Sequence, residues 1–204
     1  MTGSTTILIA EDQGMMRSAL ASLLELEDDL TVVAEVGHGD EILDAAHRTT
    51  PDVALLDIEL PGRSGLDVIA DLRAALPGCA IVIVTTFGRP GYLQRAMQAG
   101  ARGFLMKDDP VEQLAAAIRR VRAGEVVVDP TLAKQALASS PNPLSAREQE
   151  VLAASVDGAT ISDIAAALHL SPSTVRNYLS SAIGKTAARN RSEALGIARD
   201  RGWL

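Results

Sequence analysis

Aromatic residues and cysteine are scarce in this sequence of 204 residues. Only 2% of the residues are aromatic, so the hydrophobic cores that its 47% of apolar residues can form must be aliphatic. The single cysteine, Cys79, excludes an internal disulfide framework and a thiolate metal cluster. Because Ile81 and Val82 follow it closely, we expect Cys79 to be a small buried side chain.

Membrane-spanning and secretory signals are also missing. No apolar run approaches the roughly 20 residues that a transmembrane helix needs. Residues 1–4 contain no basic stretch followed by an apolar one, as a secretory signal would. We therefore expect a cytoplasmic protein without a membrane partner.

The chain has no excess of positive charge, since its formal net charge is −7. The acidity is unevenly distributed, however. Residues 1–143 carry 12 basic and 20 acidic side chains, whereas residues 144–204 carry seven and six. This asymmetry permits nucleic-acid binding by the C-terminal part without establishing it.

Two hydrophobic periods alternate in residues 1–122. Short apolar runs indicate buried strands, and the stretches between them show helical spacing, as in Leu114, Ala117, Ile118 and Val121. Five strands alternating with five helices predict an α/β domain in which helices cover both faces of a parallel sheet. The predicted strands are residues 6–10, 30–36, 53–57, 80–85 and 103–106.

The rest of the chain contains no comparable strand pattern. Prolines and small residues in 123–143 predict a linker, with a short helix at 131–137. Ser145 and Glu148 form a capping-box pattern that starts a helix, and Pro172 suits the first residue of another. We therefore expect a domain at 1–122, a linker at 123–143 and an all-α domain at 144–204, with helices at 145–156, 160–168, 172–186 and 191–201.

Polar residues stand where four of the predicted strands end. Glu11 and Asp12 follow the first strand, and Asp57 ends the third. Thr85 ends the fourth, and Lys107 follows the fifth. Because the carboxyl ends of parallel strands meet at one edge of the sheet, these side chains should lie close together. Converging carboxylates repel one another unless a cation neutralises them, and Mg²⁺ is a natural partner of oxygen ligands.

A carboxylate nucleophile, a metal ion, a hydroxyl group and a lysine are together suited to forming an aspartyl-phosphate. Any one of these residues by itself could be a solvated loop residue. The coincidence of five of them at one sheet edge favours the chemical interpretation.

These features resemble the receiver domain of two-component response regulators, which has a flavodoxin-like (βα)5 fold. The resemblance implies that Asp57 accepts the phosphoryl group, that Asp12 binds Mg²⁺ directly and that Glu11 acts through water. Glu59 would offer its backbone carbonyl to the metal. The resemblance covers residues 5–122 and rests on Ala10-Glu11-Asp12, Leu56-Asp57-Ile58-Glu59-Leu60-Pro61-Gly62, Ser64-Gly65, Thr85-Thr86 and Gly103-Phe104-Leu105-Met106-Lys107.

The same resemblance implies a switch formed by Thr85 and Phe104. The Thr85 hydroxyl would move toward the phosphoryl group, and the Phe104 ring would turn inward to fill the space that it leaves. Lys107 would pair with the phosphoryl group. Apart from the resemblance, Phe104 could equally be an ordinary core residue.

The third C-terminal helix has one apolar and one polar face. Val175, Leu179, Ala182 and Ile183 share the face that we expect to be buried. Arginine can pair with guanine and asparagine with adenine in the major groove, although a solvated amphipathic helix would show the same pattern. The candidate DNA-binding residues are Ser173, Thr174, Arg176, Asn177, Ser180, Ser181 and Lys185.

Residues 144–204 resemble the LuxR-type four-helix DNA-binding domain, a helix-turn-helix module, in segments 144–152, 161–165 and 170–178. A receiver followed by this module is typical of the NarL/FixJ family. The resemblance implies a transcription regulator that a sensor histidine kinase phosphorylates and that dimerises on an operator in double-stranded DNA. Mg²⁺ would be its cofactor and RNA polymerase a further partner.

Three other functions share parts of the pattern. Aspartate-dependent phosphatases also carry an aspartate after a strand, but here Leu60-Pro61-Gly62 indicates a turn and the C-terminal helices lack catalytic groups. A flavin-binding electron carrier shares the strand pattern, but Glu11 and Asp12 repel phosphate unless a metal intervenes. A receiver that works without phosphorylation is disfavoured by the complete set of pocket residues. We therefore do not expect an enzyme.

Overall fold

The computed structural model describes residues 4–86, 88, 90–138 and 142–204. The chain forms an N-terminal unit, residues 1–88 and 93–134, and a C-terminal unit, residues 89–92 and 135–204. Each unit has a hydrophobic core of its own. Among the described residues, no helix is both long and apolar enough to cross a membrane.

A parallel sheet with the strand order β2-β1-β3-β4-β5-β6 organises the N-terminal unit. The five predicted strands are confirmed to within one residue at each end. The strands are β1 (Thr5–Ala10), β2 (Leu30–Val36), β3 (Val53–Leu56), β4 (Ala80–Thr85), β5 (Gly103–Met106) and β6 (Val127–Val128). The helices up to residue 122 are α1 (Gly14–Leu24), α2 (Ile42–Thr49), α3 (Gly65–Ala75), α4 (Pro90–Ala99) and α5 (Val111–Arg122).

The central strands β3 and β4 are buried along their whole length, as expected for a parallel sheet covered on both faces. On one face, Ile9 of β1 and Val82 of β4 share a core with Ile118 of α5. All members of the predicted stripe on α5 are buried, which confirms that this stripe faces the core. Cys79 is also buried, as predicted.

Strand β6 was not predicted, because it lies in the segment expected to be a linker. Val127 pairs with Gly103, and Val128 pairs with Phe104, so β6 extends the sheet beyond β5. A strand of two residues is too short to produce a recognisable hydrophobic period. Helix α6 (Pro130–Ala138) follows at the position where the sequence predicts a helix.

The strand register brings the carboxyl ends of four strands to one edge. Ala10 pairs with Leu56, Leu56 with Ile83, and Thr85 with Met106. The residues that follow β1, β3 and β5 therefore emerge side by side at this edge, which is where ligands bind in such sheets.

The C-terminal unit is helical, as predicted. Side-chain caps start four of its helices, because Ser145, Thr160, Ser171 and Asn190 each accept a hydrogen bond from a backbone N–H in the first turn. Trp203 closes the core of this unit. The helices are α7 (Ala146–Ala153), α8 (Ile161–Ala167), α9 (Pro172–Thr186) and α10 (Arg191–Asp200).

The carboxylate of Glu148 joins α7 to α9. It accepts hydrogen bonds from the Ser181 hydroxyl at 2.6 Å, from Lys185 Nζ at 2.7 Å and from the Ser145 backbone N–H at 2.6 Å. Glu148 is only 5% exposed. Burial by itself raises the pKa of Glu148, but the hydrogen bonds from Lys185, Ser181 and Ser145 outweigh burial and lower the pKa to about 2.

We expect Glu148→Gln to lower the free energy of unfolding of the C-terminal unit at pH 7 by about 1–3 kcal/mol, because charge-assisted hydrogen bonds are lost. The folded-state pKa of about 2 lies below the ordinary value of 4.5. The stabilisation by Glu148 is therefore complete above pH 4.5 and is lost as the pH falls toward 2. Urea unfolding followed by the fluorescence of Trp203, the sole tryptophan, measures this unit.

Glu150→Gln is the control, since Glu150 pairs with the exposed Arg147 on the surface of α7. It should leave the acid dependence as it is in the wild type. If Glu148→Gln unfolds with the wild-type pH dependence, the network around Glu148 does not stabilise the unit.

We expect Leu72→Ala to destabilise the N-terminal unit by about 2–5 kcal/mol, because it opens a cavity under α3 where Leu72 is fully buried. The same substitution at Leu26, which is 78% exposed, should change stability by less than about 0.5 kcal/mol. Urea unfolding of the full chain, followed by circular dichroism, compares the two variants. Equal losses would contradict the placement of Leu72 in the core.

Candidate functional site

Three carboxylates meet at the carboxyl edge of the sheet. Oxygen atoms of Glu11, Asp12 and Asp57 all lie within 4.8 Å of one another. Glu11 and Asp57 are buried, at 2% and 5% exposed, whereas Asp12 is exposed. The structure thus brings together the acidic residues that the strand pattern placed at this edge.

The ammonium group of Lys107 lies between two of these carboxylates. Nζ is 2.8 Å from Asp57 Oδ2 and 2.6 Å from Glu11 Oε2, and the Lys107 side chain is 4% exposed. Burial raises the pKa of Glu11, and the hydrogen bond from Lys107 offsets this only in part. Burial alone would lower the pKa of Lys107, but hydrogen bonds to Asp57 and Glu11 outweigh burial and raise it.

The backbone around Asp57 is closely packed. The Ile58 N–H donates to Asp57 Oδ1 at 2.7 Å. A methyl group added at Gly65 would lie 2.0 Å from the Asp57 carbonyl oxygen, so glycine is required where α3 begins. The hydrogen bond from Ile58 fixes one carboxylate oxygen of Asp57, while Lys107 holds the other.

The donor set of this pocket fits a hard divalent cation. Its three carboxylates supply oxygen ligands, which Mg²⁺ prefers over nitrogen or sulfur ligands. The side chain of Glu59, two residues after Asp57, is exposed and lies outside the carboxylate cluster. The metal-binding roles of Glu11, Asp12, Asp57 and Glu59 stay predictions.

Thr85 and Phe104 are both fully buried on neighbouring strands. Thr85 ends β4, and Phe104 lies opposite Ile83 in the pairing of β4 with β5. Lys107 is tied to the same place, because its backbone N–H donates to the Thr85 carbonyl at 2.9 Å. The structure therefore links Thr85 to the acidic pocket, and the switching movement of this pair stays a prediction.

Sequence reasoning missed one residue at this edge. Arg17 of α1 donates a hydrogen bond from Nη1 to the backbone carbonyl of Glu11 at 2.5 Å. A contact between a side chain and a backbone carbonyl does not change the spacing of the apolar residues in α1, so the hydrophobic pattern does not predict it. Only the position of a basic residue one turn into the helix that follows the acidic pair could have signalled it.

The polar face of α9 is confirmed as exposed. Ser173, Arg176, Asn177 and Ser180 are all exposed, and the predicted apolar face is buried apart from the half-buried Ile183. The half-buried Thr174 lies in the first turn near the Ser171 cap.

Ser181 and Lys185 have a different environment. Both bond to Glu148 of α7, so their polar atoms contribute to the packing of α9 in this structure. Their predicted contacts with DNA phosphates, and the DNA contacts of the other α9 residues, stay predictions.

Comparison with known proteins finds a family match for each of the two units. Residues 7–119 match the response regulator receiver domain, and residues 142–198 match the bacterial regulatory proteins of the luxR family. Two Bacillus subtilis (strain 168) proteins are each 46% identical to this chain. The uncharacterized transcriptional regulatory protein YvfU matches over 97% of this chain and 98% of its own length, and the transcriptional regulatory protein DesR over 98% of each.

Solved structures show the same architecture. The response regulator ChrA of a heme-sensing two-component system is 32% identical, covers 99% of this chain and 100% of its own, and has a TM-score of 0.59. The response regulator RcsB in its DNA complex covers 97% of this chain and 99% of its own with a TM-score of 0.68; at 21% identity it supports the fold alone. Taken with the full-length relatives, these matches show that the chain belongs to the transcriptional response regulators that join a receiver domain to a LuxR-type DNA-binding domain.

Proposed function

We propose that a sensor histidine kinase phosphorylates Asp57 and that this modification controls operator binding by the C-terminal unit. The observation that carries the proposal is the buried Lys107 ammonium between Asp57 and Glu11. A carboxylate nucleophile beside a fixed cation is suited to receiving a phosphoryl group, whose negative charge an acidic pocket would otherwise repel.

The carboxylates of Glu11, Asp12 and Asp57, with the backbone carbonyl of Glu59, would hold Mg²⁺. When bound, the metal supplies positive charge that offsets the repulsion between these carboxylates and the oxygens of the phosphoryl group. The exposure of Asp12 supports this role, because it leaves one side of the cluster open to solvent and to the kinase.

In the transfer step, a carboxylate oxygen of Asp57 attacks the phosphorus of a phosphohistidine. The P–N bond breaks, and the imidazole leaves with the bonding pair and takes up a proton from water. Lys107 has three N–H donors, so it can keep one carboxylate contact while it donates to a phosphoryl oxygen. The Thr85 hydroxyl is the second donor, and the Phe104 ring fills the space behind it.

The exposed face of α9 is proposed to enter the major groove, with Arg176 and Asn177 contacting base edges. The nearly neutral charge of residues 144–204 supports weak binding by one module and a need for two. One RcsB structure contains two RcsB dimers bound to two parallel DNAs. We propose that this chain also dimerises on DNA when phosphorylated.

The proposed domain boundaries are 1–122 for the receiver, 123–143 for the linker and 144–204 for the DNA-binding domain, and the linker contributes β6 to the sheet of the receiver. The proposed location is the cytoplasm, where RNA polymerase is a further candidate partner. The chain serves as a switch rather than as an enzyme that turns over a substrate, because the phosphoryl group that it receives stays on its own Asp57.

We expect Asp57→Ala to abolish phosphoryl incorporation from a small phosphodonor in the presence of Mg²⁺, because the nucleophile is removed. Intact-protein mass spectrometry measures the incorporation. Asp71→Ala is the control, since Asp71 is a half-exposed carboxylate on α3 that pairs with Arg63. Equal incorporation by the wild type and Asp57→Ala would show that Asp57 is not the acceptor.

We expect Arg176→Ala to weaken sequence-specific DNA binding by about 1–3 kcal/mol, the usual range for one bidentate base contact. Titration of operator DNA, selected from a random-sequence pool with the wild-type protein, measures the loss. Arg189→Ala removes the same charge from an exposed arginine that pairs with Glu193, and it should retain sequence preference. An unchanged preference in Arg176→Ala would place the recognition surface elsewhere.

A further inference from the structure

An arginine of α1 ties that helix to the acidic end of β1. Arg17 Nη1 donates to the Glu11 carbonyl oxygen at 2.5 Å. The Arg17 side chain is 25% exposed, and its Nε lies 3.9 Å from the Glu35 carboxylate on β2. The phosphoryl-transfer step proposed above gives this residue no role.

The carbonyl that Arg17 binds belongs to the peptide group that joins Glu11 to Asp12. The Glu11 N–H is held by the Val36 carbonyl at 3.1 Å, and the Gln13 N–H donates to Glu11 Oε1 at 3.3 Å. The hydrogen bond from Arg17 holds the peptide group between these two points. Rotation of that group would turn the Asp12 carboxylate away from those of Glu11 and Asp57, since its direction depends on the adjoining backbone.

We propose that Arg17 is a positioning residue for the metal pocket, because its guanidinium fixes the Glu11–Asp12 peptide so that the carboxylates converge. This inference rests on the proposed function, in which these carboxylates hold Mg²⁺. Groups that orient metal ligands without touching the metal typically contribute about 10–100-fold to metal affinity.

A purely electrostatic effect of Arg17 would have the opposite sign. Removing the positive charge that is bound to the Glu11 carbonyl leaves the acidic pocket more negative, which favours a divalent cation. Loss of positioning, in contrast, weakens metal binding. The direction of the change in Mg²⁺ affinity therefore distinguishes the two roles.

Gly37 offers a way to disturb the contact without changing any charge. A methyl group at Gly37 would lie 3.0 Å from Arg17 Nη1, the nitrogen that donates to Glu11. Gly37 is not among the glycines with positive φ, so alanine is compatible with its backbone. Gly37→Ala should therefore shift the guanidinium by a few tenths of an ångström, which strains its bond to the Glu11 carbonyl while Arg17 itself is retained.

Calorimetric titration of the full chain with MgCl₂ tests the proposal. We expect Arg17→Met to bind Mg²⁺ about 10-fold more weakly than the wild type, and Gly37→Ala to be weakened in the same direction by a smaller factor. Arg63→Met is the charge control, because Arg63 follows β3 but bonds to Asp71 and to the Asp67 carbonyl; it should bind Mg²⁺ as tightly as the wild type or more tightly. Saturating Mg²⁺ should restore the rate at which Arg17→Met is phosphorylated by a small phosphodonor.

Circular dichroism establishes whether each variant is folded. If Arg17→Met does not fold, the Mg²⁺ affinity of Gly37→Ala tests the positioning role instead. Unchanged or tighter Mg²⁺ binding by the folded variants would overturn the positioning role. Phosphorylation of the wild type on Asp57 with Mg²⁺ bound, together with equal binding by the variants, would remove this inference alone. A wild-type chain that binds no Mg²⁺ would remove the proposed metal site and this inference with it.

Discussion

The functional edge of the sheet depends on one interaction, the pairing of the buried Lys107 ammonium with the carboxylates of Asp57 and Glu11. Two carboxylates cannot both remain ionised in a buried site without a cation beside them. The lysine supplies that cation from the end of β5, and its backbone N–H is bound to the carbonyl of Thr85 at the end of β4. One residue therefore connects the ends of four strands, β1, β3, β4 and β5, and a change in the charge of Asp57 alters the electrostatic balance around that residue.

Burial on both sides explains why so much of the N-terminal unit can be predicted from its sequence. Strands covered by helices on both faces are almost entirely apolar, as in β3 and β4, so their ends are marked by the first polar residue. Asp57 and Thr85 are such residues. The position of each pocket residue in the chain follows from this rule, and the convergence of the carboxylates follows from the parallel register.

Hydrogen bonds between individual polar side chains produce no comparable pattern in the sequence. The spacing of Ser181 and Lys185 is that of a solvent-facing helix edge, yet both donate hydrogen bonds to the buried carboxylate of Glu148. The capping-box pattern predicts that Glu148 closes the first turn of α7, and the structure confirms this. It does not predict that the other bonds of the same carboxylate reach a helix more than 30 residues later. Such long-range pairings depend on helix packing, which periodicity alone does not specify.

The two-residue strand β6 also defines where the N-terminal unit can be cut. Parallel sheets present unpaired N–H and C=O groups along an edge strand, and such edges invite pairing with other chains. Here the Val127 N–H donates to the Arg102 carbonyl and the Asp129 N–H to the Phe104 carbonyl, so the chain covers the outer side of β5 with its own next segment. A chain that ends after Arg122 would keep every pocket residue but would leave this edge bare, beside the strand that carries Phe104. Aggregation of such a fragment would then reflect a missing strand rather than a defective pocket.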